Sequence, residues 1–309
     1  MSVALPTFRR PQLLRRAAES VLQQHFTDWE LIISDDEGPE GASWPIAMEY
    51  AERDARIRVI ANAHCRGQVE NTNTAMLACE GEWIKLLHDD DWLAPGALAE
   101  FADVARCYPN AAFVTCAVNM IDGDGLRTYS PPRRAPRVSV YSGQEALVDL
   151  YLARATRSVG IAPSTLLIRS DVVRRGCLMR VYRSITSGID QVFFLDLAAR
   201  GPMVMLREGL VFYDGTDHAS ISTETSFEQV DAETIDLKEL TWSLIKDHRS
   251  LPPPPAVVGA LRLARLRNRY RRQPLRATIA DALEFLRPSV MRVAGEAVLA
   301  RLWRIVPPS

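Results

Sequence analysis

The chain has 309 residues, 47% apolar and 24% charged, long enough for one large domain or a domain with an appendage and too apolar for a disordered chain. Its formal net charge of −1 gives no ground for a nucleic-acid partner. That average hides an asymmetry: residues 257–309 carry eleven Arg against three acids, a balance of +8 that leaves −9 for the rest, and an acidic body with a basic tail predicts two jobs.

Residues 2–5 read as a short apolar strand. Pro11 sits where a helix takes its first residue, and Leu13, Leu14, Ala17, Val21 and Leu22 follow at helical spacing. WELIIS, residues 29–34, is a buried strand that stops at Asp35-Asp36. Residues 45–53 predict a helix and 57–61 a third strand. Residues 71–79 are helical, with Gly81 closing them, and WIKLL, 83–87, is a fourth strand ending at His88-Asp89-Asp90-Asp91. Pro95 begins another helix, and 111–118 is a strand. Strands separated by helices of roughly 10–15 residues predict a parallel sheet with helices on both faces. Ligands of such sheets bind beyond the carboxyl ends of the strands, where both acidic clusters lie. Residues 119–137, rich in Gly, Pro and Arg, predict a long loop. A helix over 144–152, a strand over 165–169, a helix over 189–199 closed by Gly201, a strand over 203–213 and a long helix over 227–246 follow. Pro252 to Pro255 form a stiff linker, and Arg-rich amphipathic helices broken by Pro274 and Pro288 complete the chain.

Three successive carboxylates after an apolar strand repel one another, and a hard divalent cation, Mg2+ or Mn2+, relieves that repulsion. Such a cation neutralises the charge that grows on a departing diphosphate. The bland alternative is a solvated turn or a helix cap. Asp35 and Asp36 have the chemistry to accept hydrogen bonds from a pyrimidine ring N–H or from ribose hydroxyls, although Asp-Asp-Glu-Gly-Pro is also simply turn-rich.

These segments together resemble the inverting GT-A glycosyltransferases of glycosyltransferase family 2. The residues that carry the resemblance are VALPTFRRP at the start, LIISDDEG, GQVENTNTA, GEWIKLLHDDDWLAP, SGIDQVFFLDLAARG and DHASIS, in that order over residues 2–222. The resemblance implies an α/β GT-A fold, a mostly parallel sheet flanked by helices. A catalytic domain would span 1–225, with a nucleotide-sugar half over 1–118 and an acceptor half over 119–225, followed by a helical C-terminal region over 226–309. It implies roles as well. Pro6, Thr7 and Arg9 or Arg10 line the nucleotide pocket, Asp36 with Asp35 holds the base, and Arg66 and Asn73 lie near the ribose and diphosphate. Asp89, Asp90 and Asp91 hold the metal and the sugar nucleotide, with Asp90 the foremost metal ligand. His218 completes the metal or diphosphate shell. Asp190 is the general base that takes the acceptor's proton; without the family pattern, helix capping would be its more common use.

Two positions depart from the pattern: Arg9 stands where Asn is usual, and His88 stands where many members carry the first Asp of DxD. The Gln-x-x-Arg-Trp motif of processive synthases is absent, which favours single addition. The expected activity is therefore transfer of a sugar from a UDP- or dTDP-sugar to a glycan, lipid-linked or other hydroxyl acceptor. The rival from another class is a non-catalytic nucleotide- or glycan-binding domain of the same fold. A nucleotidyltransferase would carry a Gly-rich loop where residues 6–11 have no glycine. Five cysteines without a CxxC pair, no secretory signal and no apolar run of ~18 residues predict a cytoplasmic protein with reduced thiols. The basic tail predicts either contact with anionic lipid at the inner face of the membrane or a solvated or homodimer-forming helical surface.

Overall fold

The computed structural model describes residues 1–62, 64–122, 125–129, 136–151, 162–183, 185–214, 227–246, 249, 251, 253, 254, 257 and 258. It opens with β1 (Ser2–Thr7), α1 (Pro11–Leu22), β2 (Glu30–Asp35), α2 (Trp44–Arg53), β3 (Ile57–Ala61), α3 (Gln68–Leu77) and β4 (Trp83–Leu86). Helix α1 starts on a proline, whose missing N–H is no loss at that position, and buries Leu14, Ala17, Ala18 and Val21 on one stripe. Next come β5 (Asp91–Leu93), α4 (Ala97–Cys107), β6 (Phe113–Asp122), β7 (Gly125–Tyr129), β8 (Val138–Tyr141), α5 (Gly143–Tyr151), β9 (Leu167–Arg169), α6 (Ser170–Arg174), α7 (Ile189–Arg200), β10 (Met203–Asp214) and α8 (Phe227–Leu244).

The strands form one sheet in the order β3-β2-β1-β4-β9-β6-β10-β5, with β7 on β6 and β8 on β10. The first four are mutually parallel, as their crossover helices require. Beyond β4 the sheet is mixed: β9 runs antiparallel to both β4 and β6, and β5 runs antiparallel to β10. Helices cover both faces, so strand side chains are buried alternately to either side. In β1, Val3 and Leu5 face a core with Leu14, Tyr50 and Phe101, whereas Ala4 faces one with Met76, Leu147 and Phe193.

Several boundaries differ from the sequence reading. The expected loop over 119–137 contains the end of β6 and all of β7, a hairpin running from Val118 opposite Tyr129 to Asp122 opposite Gly125. Residues 125–128 are exposed, so β7 lacks the apolar alternation that marks a strand. Helix α4 begins at Ala97, after Gly96 at φ 77°, and not at Pro95. Residues 91–93, between the expected strand and helix, form β5. Residues 163–165 make a 3-10 turn ahead of β9. Helix α8, assigned by sequence to the C-terminal region, buries Leu240 in the same core as Leu147 of α5 and Phe193 of α7. Trp242 packs 5.4 Å from Tyr151. The Arg-rich helices expected after the proline run lie outside the described residues, apart from positions 257 and 258.

Candidate functional site

Because β2, β1 and β4 are neighbours and parallel, their carboxyl ends emerge side by side. Thr7 ends β1 and is joined to both acidic clusters. Its Oγ1 donates to Asp89 Oδ2 at 2.8 Å, and its carbonyl accepts the Asp36 amide at 3.1 Å. Arg10, one turn on, places Nη1 3.1 Å from Asp90 Oδ2 and 3.5 Å from Asp89 Oδ1. Burial pushes the Asp89 carboxyl up to about 6, against the opposing bond from Thr7. The buried Pro6 lies in β1 just before Thr7.

The end of β4 stands on an unusual base. Lys85 is fully buried; its Nζ donates to the carbonyls of Leu86, at 2.9 Å, and of Ser164. Burial lowers its pKa to about 8. The Ser164 hydroxyl accepts the His88 amide at 2.9 Å. Asp91 lies in β5 opposite Tyr213. Its buried Oδ1 and the buried Nε2 of His88 have no hydrogen-bond partner. Burial raises the pKa of the first group and lowers that of the second. Burial therefore favours the neutral form of both groups.

A hard cation takes one or two protein carboxylates, and the residue types are present here: Asp90, paired with Arg10, and Asp91, whose buried Oδ1 has no partner. Among the described residues no group of three or more His, Cys, Asp or Glu is placed to hold a metal ion. His218, expected in the same shell, lies outside them. Trp92 is packed against Phe212, with ring centroids 5.2 Å apart, and lies under the Arg16 guanidinium at 4.1 Å. Arg16 also holds the Asp90 carbonyl at 2.8 Å.

Asp35 closes β2 and Asp36 follows it, and the two carboxylates are bonded differently. Asp36 accepts hydrogen bonds from Asn62 Nδ2 (2.9 Å), Cys65 Sγ (3.1 Å), Arg66 N (2.9 Å) and Gly67 N (2.8 Å). Burial works to raise its pKa, and these bonds together hold it below the ordinary value. Its carboxylate is thus the hub of the loop between β3 and α3. Asp35 keeps an open acceptor: Oδ1 takes the Glu37 amide at 3.0 Å, whereas the buried Oδ2 has no partner and burial raises the pKa. Arg66 is exposed on this loop. Arg9 stands at φ 55°, a left-handed backbone that suits the Asn usual there better than Arg. Its Nε pairs with Glu37 at 2.6 Å.

Asn73 does not face this end of the sheet's hydrogen-bond network. Its amide exchanges two bonds of 2.9 Å with the Met179 backbone, which ties α3 to the segment leading towards α7. The neighbouring Asn71 has the connecting role instead. It donates to the Thr7 and Ser34 carbonyls at 3.1 Å each and accepts from Ser34 Oγ and Asn62. Both asparagines sit in GQVENTNTA, and only the helix's orientation tells them apart. Lys85 and Ser164 left no sequence signal: one looks like a lapse in an apolar strand, the other lies in an unremarkable turn.

Asp190 stands on a separate element, in the first turn of α7, and its Oδ1 accepts the Gln191 amide at 2.9 Å. A helix N-terminus stabilises the ionised form, yet burial prevails and pushes its pKa up to about 6, with Glu233 adding to the rise. A carboxylate so placed is ionised at neutral pH and more basic than an ordinary aspartate.

A family model described as "Glycosyl transferase family 2" matches residues 2–157. The putative colanic acid biosynthesis glycosyl transferase WcaA of Escherichia coli strain K12 is 33% identical over 138 residues, covering 44% of this chain and 47% of that protein. The uncharacterized glycosyltransferase EpsJ of Bacillus subtilis strain 168 is 29% identical over 214 residues, 69% of this chain and 60% of that one. An E. coli protein, the UDP-Glc:alpha-D-GlcNAc-diphosphoundecaprenol beta-1,3-glucosyltransferase WfgD, is 28% identical over 95 residues, 30% of this chain and 36% of that one. The matched region thus spans under half the length of the first of these relatives. Staphylococcus aureus TarS 1-349, solved in complex with UDP-GlcNAc, superposes with a TM-score of 0.62 at 15% identity, over 99% of this chain and 81% of that one. At that identity the likeness speaks for the fold alone, and the fold is the GT-A type.

Proposed function

The chain belongs to glycosyl transferase family 2, and from that premise we propose that it transfers a sugar, with inversion, from a UDP- or dTDP-sugar to a hydroxyl of a glycan or lipid-linked acceptor in bacterial surface polysaccharide or glycoconjugate synthesis. The observation that carries this reading is the joining of the β1, β2 and β4 ends through Thr7, which leaves unspent acceptor oxygens on Asp35 and Asp91.

Asp35 Oδ2 has the acceptor chemistry for a pyrimidine N–H or a ribose hydroxyl, with Pro6, Thr7, Arg9 and Arg66 around the nucleotide. Asp90 and Asp91 would hold Mg2+ or Mn2+, with His218 as a further ligand; when bound, the cation would offset negative charge on the diphosphate. Asp89, neutralised in part by Arg10 and fixed by Thr7, keeps the turn between β4 and β5 in place. At the other end of the reaction, Asp190 accepts the proton of the acceptor hydroxyl. The oxygen forms its bond to the anomeric carbon as the bond from that carbon to the diphosphate oxygen breaks, and the bonding pair leaves with the diphosphate.

Calorimetric titration of UDP, with and without Mn2+, on the full chain and on Asp90→Ala tests the donor half. The reading requires Mn2+ to strengthen binding at least tenfold in the first and not in the second. Equal affinity under all four conditions removes the metal from the proposal. A chain that binds UDP and every tested acceptor yet transfers no sugar would be the binding module instead.

For the Arg-rich tail the two readings stay side by side: docking on anionic membrane lipid, which would suit a lipid-linked acceptor, or a solvated or homodimer-forming helical surface. Among the described residues no helix is long and apolar enough to cross a membrane.

A further inference from the structure

The turn that leads into α7 is held by a side chain from a distant element. Glu233 on α8 is only 6% exposed, and a buried carboxylate requires several hydrogen-bond donors. It has them on one short segment. Its Oε1 accepts from the Thr186 amide (3.0 Å), the Thr186 hydroxyl (3.1 Å) and the Ser187 amide (3.1 Å), and its Oε2 accepts from the Ser187 hydroxyl (2.6 Å) and the Gly188 amide (3.2 Å). Asp190 follows two residues later. The same helix grips the start of the turn, where Arg183 at φ 50° pairs with Asp236 at 3.3 Å and with Glu239. Three acids spaced three residues apart on α8 therefore hold Arg183 and residues 186–188. Beside these bonds, Ile185 is buried in the core and its amide donates to the Tyr182 carbonyl at 3.0 Å, whereas Thr186 is exposed and Ser187 half-buried.

We propose that Glu233 is the positioning residue for Asp190: by fastening the 186–188 turn to α8 it sets where, and in what surroundings, the Asp190 carboxylate meets the acceptor hydroxyl. The inference rests on the reading of Asp190 as the base. Five bonds converging on one carboxylate exceed what the simple closing of a helix N-terminus requires. The segment so fixed is the one whose shift of an ångström would move the base out of reach of its proton. Among the described residues Glu233 is also the charged group that acts on the Asp190 carboxyl, raising its pKa after the larger effect of burial. Arg183, on the same turn, is engaged by Asp236 and Glu239.

The test compares the full chain with Glu233→Gln, Asp190→Asn and the double variant Thr186→Val/Ser187→Ala. Two quantities are read: UDP release from UDP-glucose with Mn2+ as a function of pH, and the carbon-13 carboxyl titration of Asp190, assigned by its absence in Asp190→Asn. Glu233→Gln is expected to lower kcat at least tenfold while donor KM stays within twofold, and to move the Asp190 midpoint downwards. The double variant, which keeps the Glu233 charge and removes two of its bonds, is expected to lower kcat by less with the Asp190 midpoint not lowered, and its kcat carries the test if Glu233→Gln does not fold. If UDP-glucose is not turned over, the titration decides. An unmoved Asp190 midpoint and unchanged kcat in folded variants would overturn the proposal. Turnover that survives in Asp190→Asn overturns the base assignment itself, whereas loss there with wild-type behaviour in Glu233→Gln overturns only the role of Glu233.

Discussion

Replacing Asp190 by Asn separates activity from stability with a definite sign. The fold raises this carboxyl from 3.8 to about 6, chiefly by burial. Between those values the folded chain binds more protons than the unfolded one, so the Asp190 contribution to stability falls as pH rises through the interval and stays low above it. A rise of roughly two units corresponds to about 3 kcal/mol. Partial exposure of the side chain discounts this to about 1–2 kcal/mol. The amide carries no charge to desolvate. Asp190→Asn is therefore expected to be more stable than the parent by about 1–2 kcal/mol at pH 8 and nearly equal to it at pH 4, while sugar transfer drops by about 10²–10⁴. Urea unfolding of both proteins at the two pH values isolates the residue, because every other titrating group cancels in the difference. A stability difference that is the same at both pH values, or a loss at pH 8, would refute the account of Asp190 as a carboxylate strained by burial.

Three further outcomes are expected. The rate kcat/KM should rise with pH through an inflection near 6, where Asp190 loses its proton; a flat profile from pH 5 to 8 (about one unit below to two above the midpoint) speaks against that base. Asp36→Ala removes the hub of the loop between β3 and α3 and should cost about 2–4 kcal/mol, seen in urea unfolding together with lost hydrogen-exchange protection at the Arg66 and Gly67 amides; retained protection would contradict the hub role. Gly67→Ala places a side chain at φ 83° with no atom within 4 Å of the new Cβ, so the cost of about 1 kcal/mol should be conformational and should appear without any repacking in the crystal structure.

The parallel half of the fold was legible because its signals are local. Buried strands such as ELIISD and WIKL are built around apolar residues, LII in one and WI with Leu86 in the other, and the acids that follow these residues mark the carboxyl edge of the sheet where the site lies. The mixed half was not legible in the same way. β9 lies inside the strand expected over 165–169, whereas β7 is exposed and β5 begins inside the acidic cluster itself, so those two are made by their partner strands and not by their own pattern. At the site, sequence identified the residue types but not their division of labour. Asp35 and Asp36 are adjacent and alike, yet one faces a dry strand end and the other is encircled by four donors from the 62–67 loop. Asn71 and Asn73 likewise part company, one bonded to Thr7 and Ser34 and the other to Met179, since two residues on a helix turn a side chain through roughly 200°. Glu233 was beyond reach altogether: its five bonds go to a segment more than forty residues earlier.

The account rests on a nucleotide diphosphate and a cation meeting at the end of β4. Manganese anomalous scattering from crystals grown with UDP tests that meeting directly. The predicted result is a peak bridging the diphosphate and the Asp90 or Asp91 carboxylate, with the uracil against Asp35. A manganese peak remote from both aspartates, or UDP bound away from the Thr7–Asp89 junction, would contradict it.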